Sequence, residues 1–273
     1  MRRLLPIFLI PFSLLASPHI AHAGDSHLKV TGTELLLELA DGRILGGQDL
    51  VGVQLVIGSP QGDKVVQIDA IEEGHVTTGG ALQLYTLTYR NAERQIISNL
   101  CRPDATGRRA GFPLPDERGG FAFTCTSGAE GKCVLMGYRP WEIRDDVPMR
   151  DLHRACIRMV RAVYGGDGVS TTRDGTLIDV FDRFGIQTPD RSVNMEFEAA
   201  WSPHGAVCVA HSRIRQNITL NEIAARYPRL ANAIGTRACS EESARRDSRA
   251  LIFNRSNAVA LEVAEKDPAG SPD

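Results

Sequence analysis

The stretch LHRACIRMVRAVYGGDG, residues 152–168, restricts the fold of this chain more than any other. Leu152, Ala155, Cys156, Met159, Val160 and Val163 recur at helical spacing, so one stripe of a helix is apolar and must be covered by another element. Arg150, Arg154, Arg158 and Arg161 fall on the other side. The spacing predicts a main helix over about residues 149–164. Gly165-Gly166-Asp167-Gly168 is expected to close it, because glycine accepts the left-handed conformation that ends a helix. VSTTRDGTLIDV follows, with Asp174-Gly175 as the expected turn of a hairpin.

The rest of the pattern is mostly strand. Residues 28–90 alternate β-rich runs with turn signals at Asp41-Gly42, Ser59-Pro60 and Gly62-Asp63, which predicts about five or six antiparallel strands. Residues 102–120 are rich in Gly, Pro and Arg with no apolar period. They read as a loop or linker between a β-rich part, 24–101, and an α+β part, 121–262. FAFTC, 121–125, is a predicted strand, and Ser127 with Glu130 has the spacing of a capping box opening a short helix. A hairpin closed by Cys125 and Cys133 is the rival reading. Val193, Met195, Phe197, Ala199 and Trp201 alternate with polar or small residues, so one face of that strand should be buried. Thr219 and Glu222 form a second capping-box pattern, opening a helix that Pro228 must interrupt. RALIFNRS, 249–256, reads as the last strand, and the polar residues 263–273 as a disordered tail. The fold class is α+β, predominantly antiparallel β with a few helices.

Residues 1–23 have the layout of a cleaved secretory signal: Arg2 and Arg3, an apolar run from Leu4 to Ala16, then Ala21-His22-Ala23. That run is too short to span a bilayer, so the mature chain is expected to be exported, periplasmic or secreted, without a transmembrane anchor. The formal charge of −2 becomes −4 once Arg2 and Arg3 leave, which argues against a nucleic-acid partner. All six cysteines, Cys101, Cys125, Cys133, Cys156, Cys208 and Cys239, lie beyond the signal. An even number in an exported chain reads as up to three disulfides whose connectivity the spacing leaves open.

Several side chains carry candidate chemistry. His153 and Cys156 share a helix face and could ligate zinc, as could Cys208 and His211, although an oxidising compartment favours disulfides. A cysteine nucleophile with a histidine base, or a His153/Asp174 pair, would make a hydrolase, but needs a lowered-pKa thiol that an even cysteine count disfavours. The arginine stripe could hold an anionic ligand, and a solvated helix face is its plainer explanation. Asp167, Asp174 and Asp179 lack the alternating ligands of a calcium loop. Tyr138, Trp141 and Trp201 could line a carbohydrate platform, with burial between elements the commoner fate of such rings.

KCVLMGYRPW, HRACIRMVRAVYGGDG, TRDGTLIDVFD and ALIFNRS together resemble the ADYC domain, a family of exported bacterial proteins named for an Ala-Asp-Tyr-Cys motif. The resemblance spans roughly residues 28–256 and implies a fold group without an assigned activity. Here Ala162-Val163-Tyr164-Gly165 stands in place of the motif. A role resting on its aspartate or cysteine is not expected, and an entire disulfide is inferred to be missing. The leading reading is a non-enzymatic extracytoplasmic binding or interaction module, with Arg158, Arg161 and Tyr164 as contacts and a cell-envelope or extracellular partner. The alternative is a hydrolase, or a zinc protein, built on His153 and Cys156. Neither a metal nor a cofactor is expected in the leading reading.

Overall fold

A computed structural model describes residues 26–58, 62–74, 80–91, 96–116 and 118–257. The signal segment, the Ser59-Pro60 turn and the C-terminal tail lie outside these residues.

The first sheet joins β1 (His27–Thr31), β2 (Glu34–Glu38) and β3 (Ile44–Gly46) in sequence order. The second contains β4 (Gln54–Ile57), β5 (Lys64–Gly74), β6 (Leu82–Asn91), β7 (Ile96–Asn99), β8 (Gly111–Pro115) and β9 (Phe121–Cys125). Its order is β4-β5-β6-β8-β9, with β7 also on β6. Every strand pairing in both sheets is antiparallel. Among the described residues six strands therefore occupy the region where five or six were expected.

The span 102–120 is not a plain linker. Residues 111–115 form β8, which pairs along its length with β9. Pro113 and Pro115 are accommodated because they alternate with the residues that bond β9. Their missing N–H groups face the side where pairing to β6 stops after Gly111.

Two helices then cross over. Helix α1 (Ala129–Leu135) confirms the helical reading over the Cys125–Cys133 hairpin, but it starts at Gly128 with no side-chain cap, so the box expected at Ser127 does not form. Helix α2 (Met149–Val160) buries Leu152, His153, Ala155, Cys156 and Met159, the stripe read from the sequence. Cys133 bonds Cys156 and ties the two helices together. Cys101 bonds Cys125, and Cys208 bonds Cys239. No cysteine is a free thiol.

The last sheet runs β10-β13-β11-β12, from β10 (Ile178–Asp182), β13 (Ile252–Ser256), β11 (Glu196–Ser202) and β12 (Gly205–Val209). The hairpin expected around Asp174-Gly175 is absent. A turn does form there, but β10 takes its partner from the far end of the chain, residue 178 opposite 256. Helix α3 (Leu220–Arg226) opens on the predicted box: Thr219 Oγ1 accepts from Glu222 N–H and Glu222 Oε2 accepts from Thr219 N–H. The 3-10 turn Pro228–Leu230 follows, as Pro228 requires, and helix α4 (Glu241–Arg246) precedes β13. Among the described residues no helix is long and apolar enough to cross a membrane.

One apolar core lies between α2 and the last sheet, centred on Leu152, Met159, Tyr164, Trp201 and Ile252. A second fills the two N-terminal sheets around Leu35, Ile68, Leu84 and Phe112. Helix α1 reaches both: Cys133 belongs to the first and Val134 to the second.

Candidate functional site

Helix α2 closes earlier than its glycines predict. Ala162, at φ +48°, takes the left-handed position. Its N–H bonds the Met159 carbonyl, and the Val163 N–H bonds that of Arg158, the two-bond closure usually built on glycine. Alanine is held there because the surroundings satisfy the helix end. Thr171 Oγ1 donates to the Ala162 carbonyl at 2.6 Å. Arg213 donates through Nη2 to Met159 O at 2.8 Å and through Nη1 to Val160 O at 3.0 Å, placing a cation at the negative end of the helix dipole.

Arg213 also bridges to Glu198, Nε to Oε2 at 2.9 Å and Nη2 to Oε1 at 3.0 Å. Both side chains are almost wholly buried, at 1% and 0% exposure. Tyr164 donates its hydroxyl to Glu198 and accepts the Arg213 backbone N–H. Asn254 donates to Glu198 at 2.7 Å and accepts the Trp201 indole N–H at 2.8 Å, while the Tyr164 and Trp201 rings stack. Burial works to raise the Glu198 pKa, but the Arg213 charge and hydrogen bonds outweigh it and hold the carboxyl below its ordinary value. Burial, with the Glu198 charge beside it, pushes the Tyr164 phenol well up. This knot is a buried, charge-paired unit whose carboxylate and guanidinium are bonded to groups of the fold itself.

The knot changes the standing of the residues singled out above. Tyr164 is buried and bonded inside it, so it cannot join Arg158 and Arg161 in a surface contact. Arg161 is half-buried and donates to the Gly168 carbonyl at 3.0 Å. His153 and Cys156 do share a face, but Cys156 is spent in the disulfide to Cys133, which removes it as nucleophile or thiolate ligand. His153 is buried against α1, 3.2 Å from the Glu130 carbonyl. Burial, slightly offset by that bond, pushes its pKa down to about 4. Asp174 sits in an exposed turn. Cys208 is likewise bonded, and His211 is buried just past β12. Among the described residues no three His, Cys, Asp or Glu side chains gather as a metal site.

A well-defined concavity lies elsewhere. A cleft of about 720 Å³ opens where the β1–β2 turn, β5, the start of β6 and the segment after α1 meet. Its lining includes Trp141 and Arg139 after α1, Ile71, Glu72 and Glu73 of β5, Leu82 and Gln83 of β6, Gln48, and Thr33 and Glu34 at the hairpin. Its floor is fixed by buried hydroxyls. Tyr85 accepts the Leu35 N–H and donates to Gln83 Oε1, both at 2.8 Å, and Thr33 Oγ1 accepts the Gln83 N–H. Gly32, at φ +60°, lets the hairpin turn under Trp141: a Cβ there would lie 3.1 Å from the indole nitrogen. Arg139 is nearly buried and donates to Glu142 Oε1 at 3.0 Å and to the Gly80 carbonyl. Of the three aromatics proposed as a platform, Tyr138 and Trp201 are buried and Trp141 alone lines the cleft.

Residues 47–215 match the ADYC domain. The chain belongs to this family. No curated protein and no solved structure matches it. The ADYC domain match covers α2, the second sheet, most of the cleft and both charged partners of the knot. Within the matched residues, Gly165 has a structural reason: a Cβ at that position would stand 2.0 Å from the Tyr227 ring. Tyr227 in turn donates its hydroxyl to Asp167 at 2.8 Å. A ring anchored by a hydrogen bond thus occupies the volume that any side chain at position 165 would need.

Proposed function

We propose that this ADYC protein is an exported binding module, directed by its N-terminal signal, and that the Trp141 cleft is its seat for a saccharide. The observation that carries this reading is the lining of the cleft. Planar polar side chains (Glu34, Glu73, Gln48 and Gln83) are among the residues that line the cleft beside one tryptophan. Flat carboxylate and amide groups can bond neighbouring hydroxyls of a sugar ring, and an indole offers a large apolar surface with a polar edge to the ring's C–H face. The volume falls within the range of small-molecule sites, roughly 300–1,000 Å³. The Tyr85 and Thr33 hydrogen bonds set Gln83 in place before a ligand arrives, which lowers the ordering cost of binding.

Isothermal titration of the mature protein with a panel of neutral trisaccharides tests the reading. At least one should bind, and Trp141→Ala should weaken it by about tenfold or more, the loss of one buried aromatic contact. Because Trp141 also packs on the N-terminal core, Gln48→Ala provides a second variant at an exposed position. Undiminished affinity in both variants, or no binding by any member of the panel, would overturn the assignment of the cleft.

A further inference from the structure

We infer that this chain receives its disulfides from a dithiol oxidase that pairs its cysteines in the order in which they emerge during export, without help from a disulfide isomerase. The inference shares only the export of the chain with the function proposed above. The connectivity carries it. Cys101 bonds Cys125, Cys133 bonds Cys156 and Cys208 bonds Cys239. Of all the complete pairings open to six cysteines, only one joins every cysteine to the next in the chain, and this is the one found.

Loop closure alone does not favour that outcome. Cys125 and Cys133 are eight residues apart, whereas their native partners stand 24 and 23 residues away. Contact probability falls with about the three-halves power of loop length, so with every thiol available Cys125 meets Cys133 about fivefold more often than it meets Cys101. Order of emergence removes this competitor, because a chain threaded amino end first presents Cys101 and Cys125 before Cys133. Burial then closes the window for repair. Cys133 and Cys156 are wholly buried between α1 and α2, and Cys101 and Cys239 nearly so, so the oxidant must act before these elements pack.

The exchange balances. The Cys101 thiolate attacks the oxidase disulfide and releases one of its sulfurs as a thiol; the Cys125 thiolate then displaces the other from the mixed disulfide. Cys101 and Cys125 together give up two electrons and two thiol protons, and the oxidase carries both off as a dithiol. A mixed disulfide on Cys133 is resolved in the same way by Cys156, and one on Cys208 by Cys239.

The test exports the mature sequence behind a host signal in bacteria lacking either the periplasmic disulfide isomerase or the periplasmic dithiol oxidase. Bonds are mapped by mass spectrometry after free thiols are alkylated. Without the isomerase, the fraction carrying all three native bonds should stay within about twofold of the parent strain; without the oxidase it should fall further than that, by about fivefold. A fall beyond twofold in the isomerase-deficient strain, or none in the oxidase-deficient strain, overturns the inference. Cys101→Ser separates pairing by order from pairing by fold, and the map is read on denatured chains, so the variant need not fold. In the isomerase-deficient strain, order of emergence sends Cys125 to Cys133 and deprives Cys156 of its partner. If Cys133 still bonds Cys156 and Cys125 remains a free thiol, the fold selects the partners and the inference fails.

Discussion

The molecule holds charge in two opposite ways. In the C-terminal half, Glu198 and Arg213 are excluded from water and bonded to each other, to Tyr164 and Asn254, and to the α2 carbonyls of Met159 and Val160. At and beside the cleft between the N-terminal sheets and the segment after α1, Glu34, Glu72 and Glu73 are exposed, and Glu72 meets Arg108 in a partly exposed pair. A saturated buried pair specifies a fold, because any rearrangement would strand a charge in low dielectric. Exposed, clustered charge adds little to folding and retains its capacity for something that arrives from outside. Polar residues alone therefore do not distinguish structure from site in this chain; solvent access and saturation do.

The sharpest way to break that contrast is to remove one partner of the buried pair. Arg213→Met should leave Glu198 unpaired beside Tyr164 and Asn254 and unbond the end of α2, at a cost of about 3–5 kcal/mol. Chemical denaturation of the mature protein would show this as a large fall in midpoint, or as failure to fold. Adding Glu198→Leu should recover part of the loss, since removing both charges eliminates the stranded carboxylate. If the single substitution cost under about 1 kcal/mol, typical of exposed pairs, the knot would be no different in kind from the cleft.

A one-residue irregularity explains why this knot is hidden in the sequence. The alternation from Val193 to Trp201 assigns Glu198 to the outer face of a half-buried strand. In the fold the register against β13 shifts between Phe197 and Ala199, and such a bulge re-aims side chains from one face to the other. Glu198 ends fully buried, and Arg213, from a loop with no periodic signal, meets it. The α2 stripe, the capping box at Thr219 and the final strand were legible because each is set by local spacing. The partner of β10, the pairing of the cysteines and the end of α2 were not, since each depends on residues far away: Ser256, the α1–α2 crossing, and Arg213 with Thr171. The cleft was legible in one part, Trp141, and its other walls come from strands more than fifty residues earlier.

His153 lies between the two extremes, buried like the knot but bonded only through the Glu130 carbonyl among the described residues, and it supplies the next largest effect. Burial lowers its pKa from 6.5 to about 4, so the folded protein keeps the ring neutral while the unfolded chain takes up a proton below pH 6.5. Its contribution to stability is complete above that pH and is lost as the pH falls towards about 4, a change of about 3 kcal/mol. His153→Gln should flatten the dependence of unfolding free energy on pH across this window. An unchanged slope would mean that the ring gains water or a counter-ion on protonation, and would place it with the exposed groups.

The smallest effect is expected at the cleft, and it is the other half of the contrast. Glu72→Gln with Glu73→Gln removes two charges from neighbouring positions on β5, where neither carboxylate is locked in a saturated network and Glu72 has only the loose contact with Arg108. Solvent already screens both groups, so the melting temperature should move by no more than about 2 °C. Any difference should vanish as salt is added, because only exposed charge, including the Glu72 contact with Arg108, is changed. A fall of about 5 °C or more would assign these carboxylates to the folding of the N-terminal sheets. It would also remove the basis for treating them as charge held in reserve for a ligand.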